Sequence, residues 1–220
     1  MVTTVVTDIR KHVDTFIYFL ESSLCPQTSI PIYVGHSRPS NGYILYNTEQ
    51  LSRPSMLSQV VNNIRNANPH EVWDYSKENV RILKDHGILA KYIPLESPDW
   101  YIEELRDYRA KNPIEYDVGF AGCLTDRRVY ILNKLKSMGL LVNSIEVYGK
   151  QRDKELAKCK VLVNIHALPD FKIFESARCE PWLKLGVTVI SENSLDNDER
   201  CINVEYENMV DIVLKRLKSI

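Results

Sequence analysis

No stretch of the sequence stays apolar and uncharged for the ~20 residues that a membrane-spanning helix needs. The amino terminus, MVTTVVTDIRKHVD, turns charged before an apolar signal-peptide core develops. These two absences predict a soluble, cytoplasmic protein with no transmembrane segment. Charge of one sign is missing as well: 28 Lys and Arg stand against 29 Asp and Glu, a net charge of -1. No global field therefore draws the chain to nucleic acid, and no nucleic-acid partner is expected. The five cysteines, Cys25, Cys123, Cys159, Cys179 and Cys201, are scattered, odd in number and without a close pair. That argues against a disulfide scaffold or a thiolate zinc site and for free thiols in a reducing compartment. The acidic run Asp196-Asn197-Asp198-Glu199 lacks the spacing of a calcium loop and reads as a solvated turn, so no metal site is expected. No glycine-rich turn follows a first strand.

What the chain does have, over 220 residues and with 44% of them hydrophobic, is enough apolar material for one large or two small cores. Its most legible stretch runs from Val161 to Glu192. Two β-branched runs, Val161 to Ile165 and Val187 to Ile190, bracket a segment in which Ile173, Phe174, Ala177, Trp182 and Leu185 recur at helical spacing. Gly186 ends that helix and Pro169-Asp170 marks the loop before it. The same alternation fills the rest of the chain. A helix is read from Asp8 to Ser23, capped by Thr7 or Asp8, then a short strand at Ile30 to Val34, where Pro31 either confines the strand to an edge or makes its first residue non-pairing. Strands follow at Gly42 to Asn47, Glu71 to Tyr75 and Lys91 to Leu95, with helices through Met56 to Ile64 and from a Ser76 cap to Lys84. Beyond the Ser97-Pro98 and Asn112-Pro113 breaks come strands at Tyr116 to Gly122 and Ser144 to Tyr148. A helix from Asp126 to Met138 buries Val129, Ile131, Leu132 and Leu135, and a short helix begins at Gly149-Lys150. A strand at Cys201 to Val204 and a helix carrying Met209, Ile212, Val213 and Leu217 close the chain. Alternating strands and helices predict an α/β fold of parallel sheets, with a boundary between two lobes in the Glu96 to Pro113 stretch.

Polar side chains gather where the strands end: Asn164, His166, Asp170, Lys172, Glu175, Arg178 and Glu180 follow one strand, and Gly119 and Gly122 close another. In an open parallel sheet that edge is where ligands bind. Gly119 and Gly122 are either a tight strand–helix turn or a turn that lets a pyrophosphate approach the backbone, helped by the amino end of the Asp126 helix. Arg127, Arg128, Lys150 and Arg152 are either solvated surface cations or the fixed charges that a metal-free site must supply to a diphosphate. His166 is either a structural hydrogen-bonding group or a donor to phosphate or sugar. Glu175 and Arg178, one helical turn apart, form a helix ion pair or a couple that holds sugar hydroxyls and phosphate. Asp74 either caps the Ser76 helix or takes a proton as a general base.

In order along the chain stand Val72-Trp73-Asp74-Tyr75-Ser76-Lys77-Glu78-Asn79, Gly119-Phe120-Ala121-Gly122 with Arg127-Arg128, and Tyr148-Gly149-Lys150-Gln151-Arg152-Asp153. Val163-Asn164-Ile165-His166, Phe174-Glu175 with Arg178, and Ser191-Glu192 follow. This set, covering roughly Tyr43 to Glu192, resembles a family of small GT-B-type glycosyltransferase-like proteins found in bacteria and large DNA viruses. The resemblance implies two Rossmann-like lobes facing each other across a cleft: a reduced amino-terminal lobe over residues 1–97 on the acceptor side, and a carboxy-terminal lobe over residues 113–220 that holds the donor. It implies a transferase that moves a sugar from a nucleotide-diphosphate sugar to a glycan, lipid or protein acceptor, with no required metal and no cofactor. Asp74 and His166 are then the catalytic candidates. Gly119, Gly122, Arg127, Arg128, Lys150, Arg152, Asn164, His166, Glu175, Arg178 and Glu180 are the donor-binding candidates. The pair Glu175 and Glu180 is more closely spaced than the paired glutamates of many retaining members. The rival reading is a non-catalytic α/β module for nucleotide binding or assembly.

Overall fold

The computed structural model describes residues 4–7, 13–35 and 42–220. Among them stand two five-stranded sheets, parallel throughout, in a Rossmann-like α/β arrangement. The chain divides into two compact units, Met1–Pro98 with Asp170–Ala177, and Asp99–Pro169 with Arg178–Ile220. No described helix is long and apolar enough to cross a membrane.

In the first unit the strands β1 (Val5–Val6), β2 (Ile32–Val34), β3 (Ile44–Asn47), β4 (Glu71–Asp74) and β5 (Ala90–Tyr92) lie side by side in chain order. Its helices are α1 (Asp14–Leu20), α2 (Pro54–Ala67) and α3 (Lys77–Asp85). Period-two alternation sorts the strand residues between two cores. Ile32, Val34, Ile44, Tyr46 and Trp73 pack with Phe16, Ile17 and Leu20 of α1, while Tyr33, Leu45 and Val72 pack with α2, α3 and Ile88. A sheet covered on both faces reads as short continuous apolar runs, the pattern seen in the sequence. Five strands make the amino-terminal sheet equal in number to the other, although that unit was expected to be the reduced one.

Three details differ from the sequence reading. Pro31 does not push β2 to an edge: it lies just before the strand, its carbonyl accepts the Ile44 N–H at 2.9 Å, and β2 sits between β1 and β3. Two valines are too short a pattern to announce β1. Helix α1 begins at Asp14, with Val13 at its cap position and no side-chain cap bond, so Thr7 does not cap it; Asp8 lies outside the described residues. Ser76, by contrast, caps α3 as read, its hydroxyl accepting the Asn79 N–H at 3.2 Å.

The segment Asp170–Ala177 also belongs to this unit. Ile173 and Phe174 sit ahead of α7 (Ser176–Leu185) rather than on it. Ile173 is buried in the core against α1, and its N–H donates to Gln50 Oε1 at 3.2 Å. Ser52 Oγ donates to the Asp170 carbonyl at 2.8 Å and accepts the Lys172 N–H at 3.0 Å.

The second unit contains α4 (Asp99–Lys111), β6 (Tyr116–Ala121), α5 (Asp126–Ser137), β7 (Val142–Ile145), α6 (Gly149–Leu156) and β8 (Cys159–Asn164). After α7 come β9 (Val189–Glu192), β10 (Ile202–Val204), a 3-10 turn at Tyr206–Asn208 and α8 (Met209–Leu217). The strand order is β10-β9-β8-β6-β7. The chain steps from β6 to its neighbour β7 and then returns across β6 to β8, so the direction of winding reverses between β6 and β8. Such a switch point leaves a crevice at the carboxyl ends of the strands. Val118, Phe120, Val161, Val163 and Ile190 form the core with Ile131, Leu132 and Leu135 of α5 and with Met209, Val210 and Val213 of α8. On α5 the fully buried neighbour of these residues is Arg128, at 2% exposure, while Val129, expected inside, is only half-buried.

Candidate functional site

The switch point brings together the ends of β6 and β8. Gly122 follows β6 with φ +143°, a backbone conformation that side chains rarely adopt. A Cβ there would fall 2.8 Å from Arg178 Nη2 and 3.4 Å from Arg128 Nη1. The missing side chain thus leaves room for two guanidinium groups, both within 5.4 Å of the Phe120 ring centroid. Arg178, in the first turn of α7, is half-buried and donates through Nη1 to Asn164 Oδ1 at 2.9 Å. Asn164 in turn donates to Ser191 Oγ at 3.0 Å. A buried polar chain from β9 through β8 therefore fixes one terminal nitrogen of Arg178 and orients the other toward the bare backbone of Gly122.

Beside it, Arg127 and Glu192 form a bidentate ion pair with Nη1 and Oε2 at 2.5 Å, both side chains being largely buried. Arg127 also donates to the His166 carbonyl at 3.1 Å, and its guanidinium stacks 3.7 Å over the Tyr206 ring. Glu192 accepts the His166 N–H at 2.9 Å. His166 is 2% exposed, with Nε2 at 3.2 Å from both the Asn193 carbonyl and Ser194 Oγ. Because a carbonyl only accepts, Nε2 is the protonated nitrogen in this arrangement. Arg128 donates to the Ile165 carbonyl at 2.8 Å and to the carbonyl and Sγ of Cys123, each at 3.1 Å. Arg127 and Arg128 thus tie the β6–α5 turn to the end of β8 and brace the crevice.

The turn itself is partly occupied. Gly122 N–H donates to the Ile145 carbonyl at 3.0 Å and Thr125 N–H to the Cys123 carbonyl at 3.2 Å. Leu124 N–H donates to Glu146 Oε1 at 2.8 Å, which sets an exposed carboxylate at the turn. The Thr125 hydroxyl goes to the Ala167 carbonyl at 2.9 Å, and α5 has no side-chain cap bond. Its amino terminus keeps the partial positive charge of uncapped N–H groups.

The other sequence candidates lie apart from this cluster. Gly119 is inside β6 rather than at its turn, paired in register with Leu162. A Cβ there would meet Cys159 Sγ at 2.6 Å and Leu162 Cδ2 at 2.7 Å, so the glycine serves strand packing. Lys150 pairs with Glu104 of α4 at 2.7 Å. Arg152 binds Asp153 at 2.8 Å and the Tyr101 hydroxyl at 3.3 Å, while that hydroxyl donates to Asp153 at 2.7 Å. Both candidate cations of α6 therefore turn toward α4, which lies in the stretch that the sequence marks as a lobe boundary. Glu180 is buried in α7, near enough to Arg200 for its charge to be felt there. In the first unit, Asp74 is fully buried: Oδ2 accepts from Asn47 at 2.7 Å, and Oδ1 from the Ser76 N–H at 2.8 Å and from Asn79 at 3.0 Å. That is the capping role weighed for it, extended to β3. Glu175, counted in sequence with the carboxy-terminal lobe, falls in the first unit.

Glu192 and Glu146 were missed as site residues. Ser191-Glu192 stood among the ordered motifs, which was the available signal for the first; nothing local marks the second. No three His, Cys, Asp or Glu side chains converge as metal ligands among the described residues.

Among curated proteins, the chain is similar to uncharacterized proteins of Acanthamoeba polyphaga mimivirus. One is 33% identical over 186 residues, covering 80% of this chain and 60% of the relative. A second is 34% identical over 154 residues, 69% of this chain and 20% of the relative, and a third 36% over 181 residues, 78% and 20%. No protein-family model matches, and no solved structure does. The chain thus spans 60% of the first of these relatives and 20% of each of the other two.

Proposed function

We propose that the chain is a GT-B-type glycosyltransferase that moves a sugar from a nucleotide-diphosphate sugar to a glycan, lipid or protein acceptor without a divalent ion. One observation carries this reading: at the switch point of the second sheet a half-buried guanidinium, Arg178, packs against the bare backbone of Gly122, just ahead of the amino end of α5. A leaving diphosphate needs fixed positive charge as its bond to the sugar lengthens, and a preorganised arginine with the amino end of α5 answers that need. Arg127 and Arg128 act on the donor indirectly, by holding the turn. Two Rossmann-like units and the ordered motifs of the sequence support the same reading.

A second reading has its own support. Both oxygens of Asp74 are engaged by Asn47, Ser76 and Asn79, which removes the amino-lobe carboxylate offered as a base. A chain without that base fits a nucleotide-binding or assembly module.

Thermal unfolding of the full chain against UDP, GDP, ADP, TDP and their sugar conjugates separates the two, since a ligand of the native state raises stability by mass action. The expected result is a rise in Tm with one nucleoside diphosphate and turnover of its sugar conjugate in the presence of EDTA. Binding without transfer or donor hydrolysis selects the module. Activity lost to chelator and restored by manganese refutes the metal-free part, and no response to any nucleotide refutes the transferase and the nucleotide-binding form of the module, leaving the assembly module.

A further inference from the structure

At the opposite end of the second sheet, where strands begin, lies an open cavity of about 440 Å³ with three cations in its wall: Arg106 and Arg109 from α4 and Lys160 from β8. No acidic side chain lines it. A fourth cation, Arg216 of α8, adjoins it by donating through Nη2 to the lining residue Thr188 at 3.0 Å. Its Nε is buried with no hydrogen-bond partner among the described residues. Arg109 is fixed by donating to the carbonyls of Ala157 and Cys159 at 2.7 and 2.8 Å. Lys160 pairs with Asp117 at 2.7 Å, and Arg106 is exposed and pairs with no carboxylate among the described residues.

Cations near helix carboxyl ends ordinarily offset the helix dipole, and α4 and α7 both end near here. That accounts for Arg109 and Arg216, each in the last turn of its own helix. It does not account for Lys160, which comes from a strand, or for Arg106, which precedes the last turn of α4. Three cations line one concavity and a fourth adjoins it, with Asp117 their single carboxylate partner among the described residues. We propose that this cavity binds a small polyanion carrying several phosphate groups, of the pyrophosphate or tripolyphosphate class, independently of the crevice at the other end of the sheet. Guanidinium forks and an ammonium point charge are the groups that hold clustered phosphate oxygens. The volume also falls within the range of small-molecule sites, roughly 300–1,000 Å³. Burial holds the Arg109 pKa below its usual value, as expected for a cation that lacks a counter-ion.

The test is calorimetric titration of the full chain with inorganic tripolyphosphate at low salt. Variants are Arg106→Ala, the double variant Arg106→Ala with Lys160→Ala, and Arg178→Ala at the opposite crevice. Saturable binding is expected, weakened several-fold by the single change and at least about tenfold by the double one, and unaltered by Arg178→Ala. Because Arg106 is exposed, its single variant remains folded and informative if the double variant does not. The proposal falls if the parent shows no saturable binding at millimolar tripolyphosphate, or if the variants bind like the parent while melting lower, which leaves only dipole compensation. It falls as well if Arg178→Ala abolishes binding, or if affinity appears only with single-stranded RNA and grows with its length.

Discussion

Arg178 donates through Nη1 to Asn164 and places Nη2 beside Gly122, and in the proposed function the same guanidinium also meets the donor's diphosphate. A lysine keeps the charge but cannot serve both directions, because its single ammonium lacks the planar fork. Arg178→Lys should therefore leave Tm near the parent value while nucleoside diphosphate binding falls at least about tenfold, or about 1.4 kcal/mol. Glu146 predicts the opposite sign. Its carboxylate sits on the Leu124 N–H of the turn, where it repels an incoming diphosphate. Glu146→Gln keeps an acceptor there and removes the charge, so affinity should rise. Calorimetry with the same nucleotide on both variants checks the pair. Parallel shifts, or none, would place the ligand away from the β6–α5 turn.

For the elements, Gly119 makes the sharpest case. Gly119→Ala adds a methyl that meets Cys159 Sγ at 2.6 Å and Leu162 Cδ2 at 2.7 Å within the sheet. Overpacking of this kind costs about 1–3 kcal/mol. Denaturant unfolding should show that loss, and the double variant with Leu162→Ala should lose less than the sum of the two single changes; a loss below about 0.5 kcal/mol for Gly119→Ala would mean that the strands part easily. The sequence leaves this glycine open between a tight strand–helix turn and a phosphate turn, and it is neither, because a glycine inside a strand and one at its end share the same local pattern. The βα alternation from Gly42 onward was legible, since doubly covered strands appear as short apolar runs between turn residues. The gathering of Gly122, Asn164 and Arg178 was legible for a related reason: Gly122 follows β6, Asn164 ends β8 and Arg178 opens the helix after β8, and parallel topology brings those ends together. What escaped were pairings without local periodicity. Arg127 and Glu192 are 65 residues apart, and no rule of spacing places Arg128 in a core. Ile173 and Phe174 keep helical spacing with Ala177 while lying in the loop ahead of α7, because spacing cannot distinguish a helix face from a loop packed into another core.

At the scale of the whole molecule, four of the five thiols are buried and Cys123 is exposed. Burial pushes Cys25 up to about 11, and Cys159 and Cys201 to about 12, from an ordinary 9.0. Folded thiols that hold their protons more tightly than unfolded ones stabilise the native state fully below pH 9.0, and that contribution is lost as pH climbs from there toward about 12. Unfolding free energy should accordingly decline above about pH 9, and at pH 8 iodoacetamide should label Cys123 alone in native protein, with the others reacting only after denaturation. Mass spectrometry of native-labelled protein carrying the reagent on Cys159 or Cys201 would contradict this. The assignment of Asp170–Ala177 to the first unit also sets a timetable for synthesis. A ribosome delivers the chain at about 5–20 residues per second, amino terminus first. When Pro98 emerges, the α1 core still lacks Ile173, which arrives only after all of β6 to β8 has been made. The first unit therefore cannot close before the second is largely synthesised, and a nascent chain stalled between them exposes an apolar gap of one isoleucine to whatever chaperone is at hand.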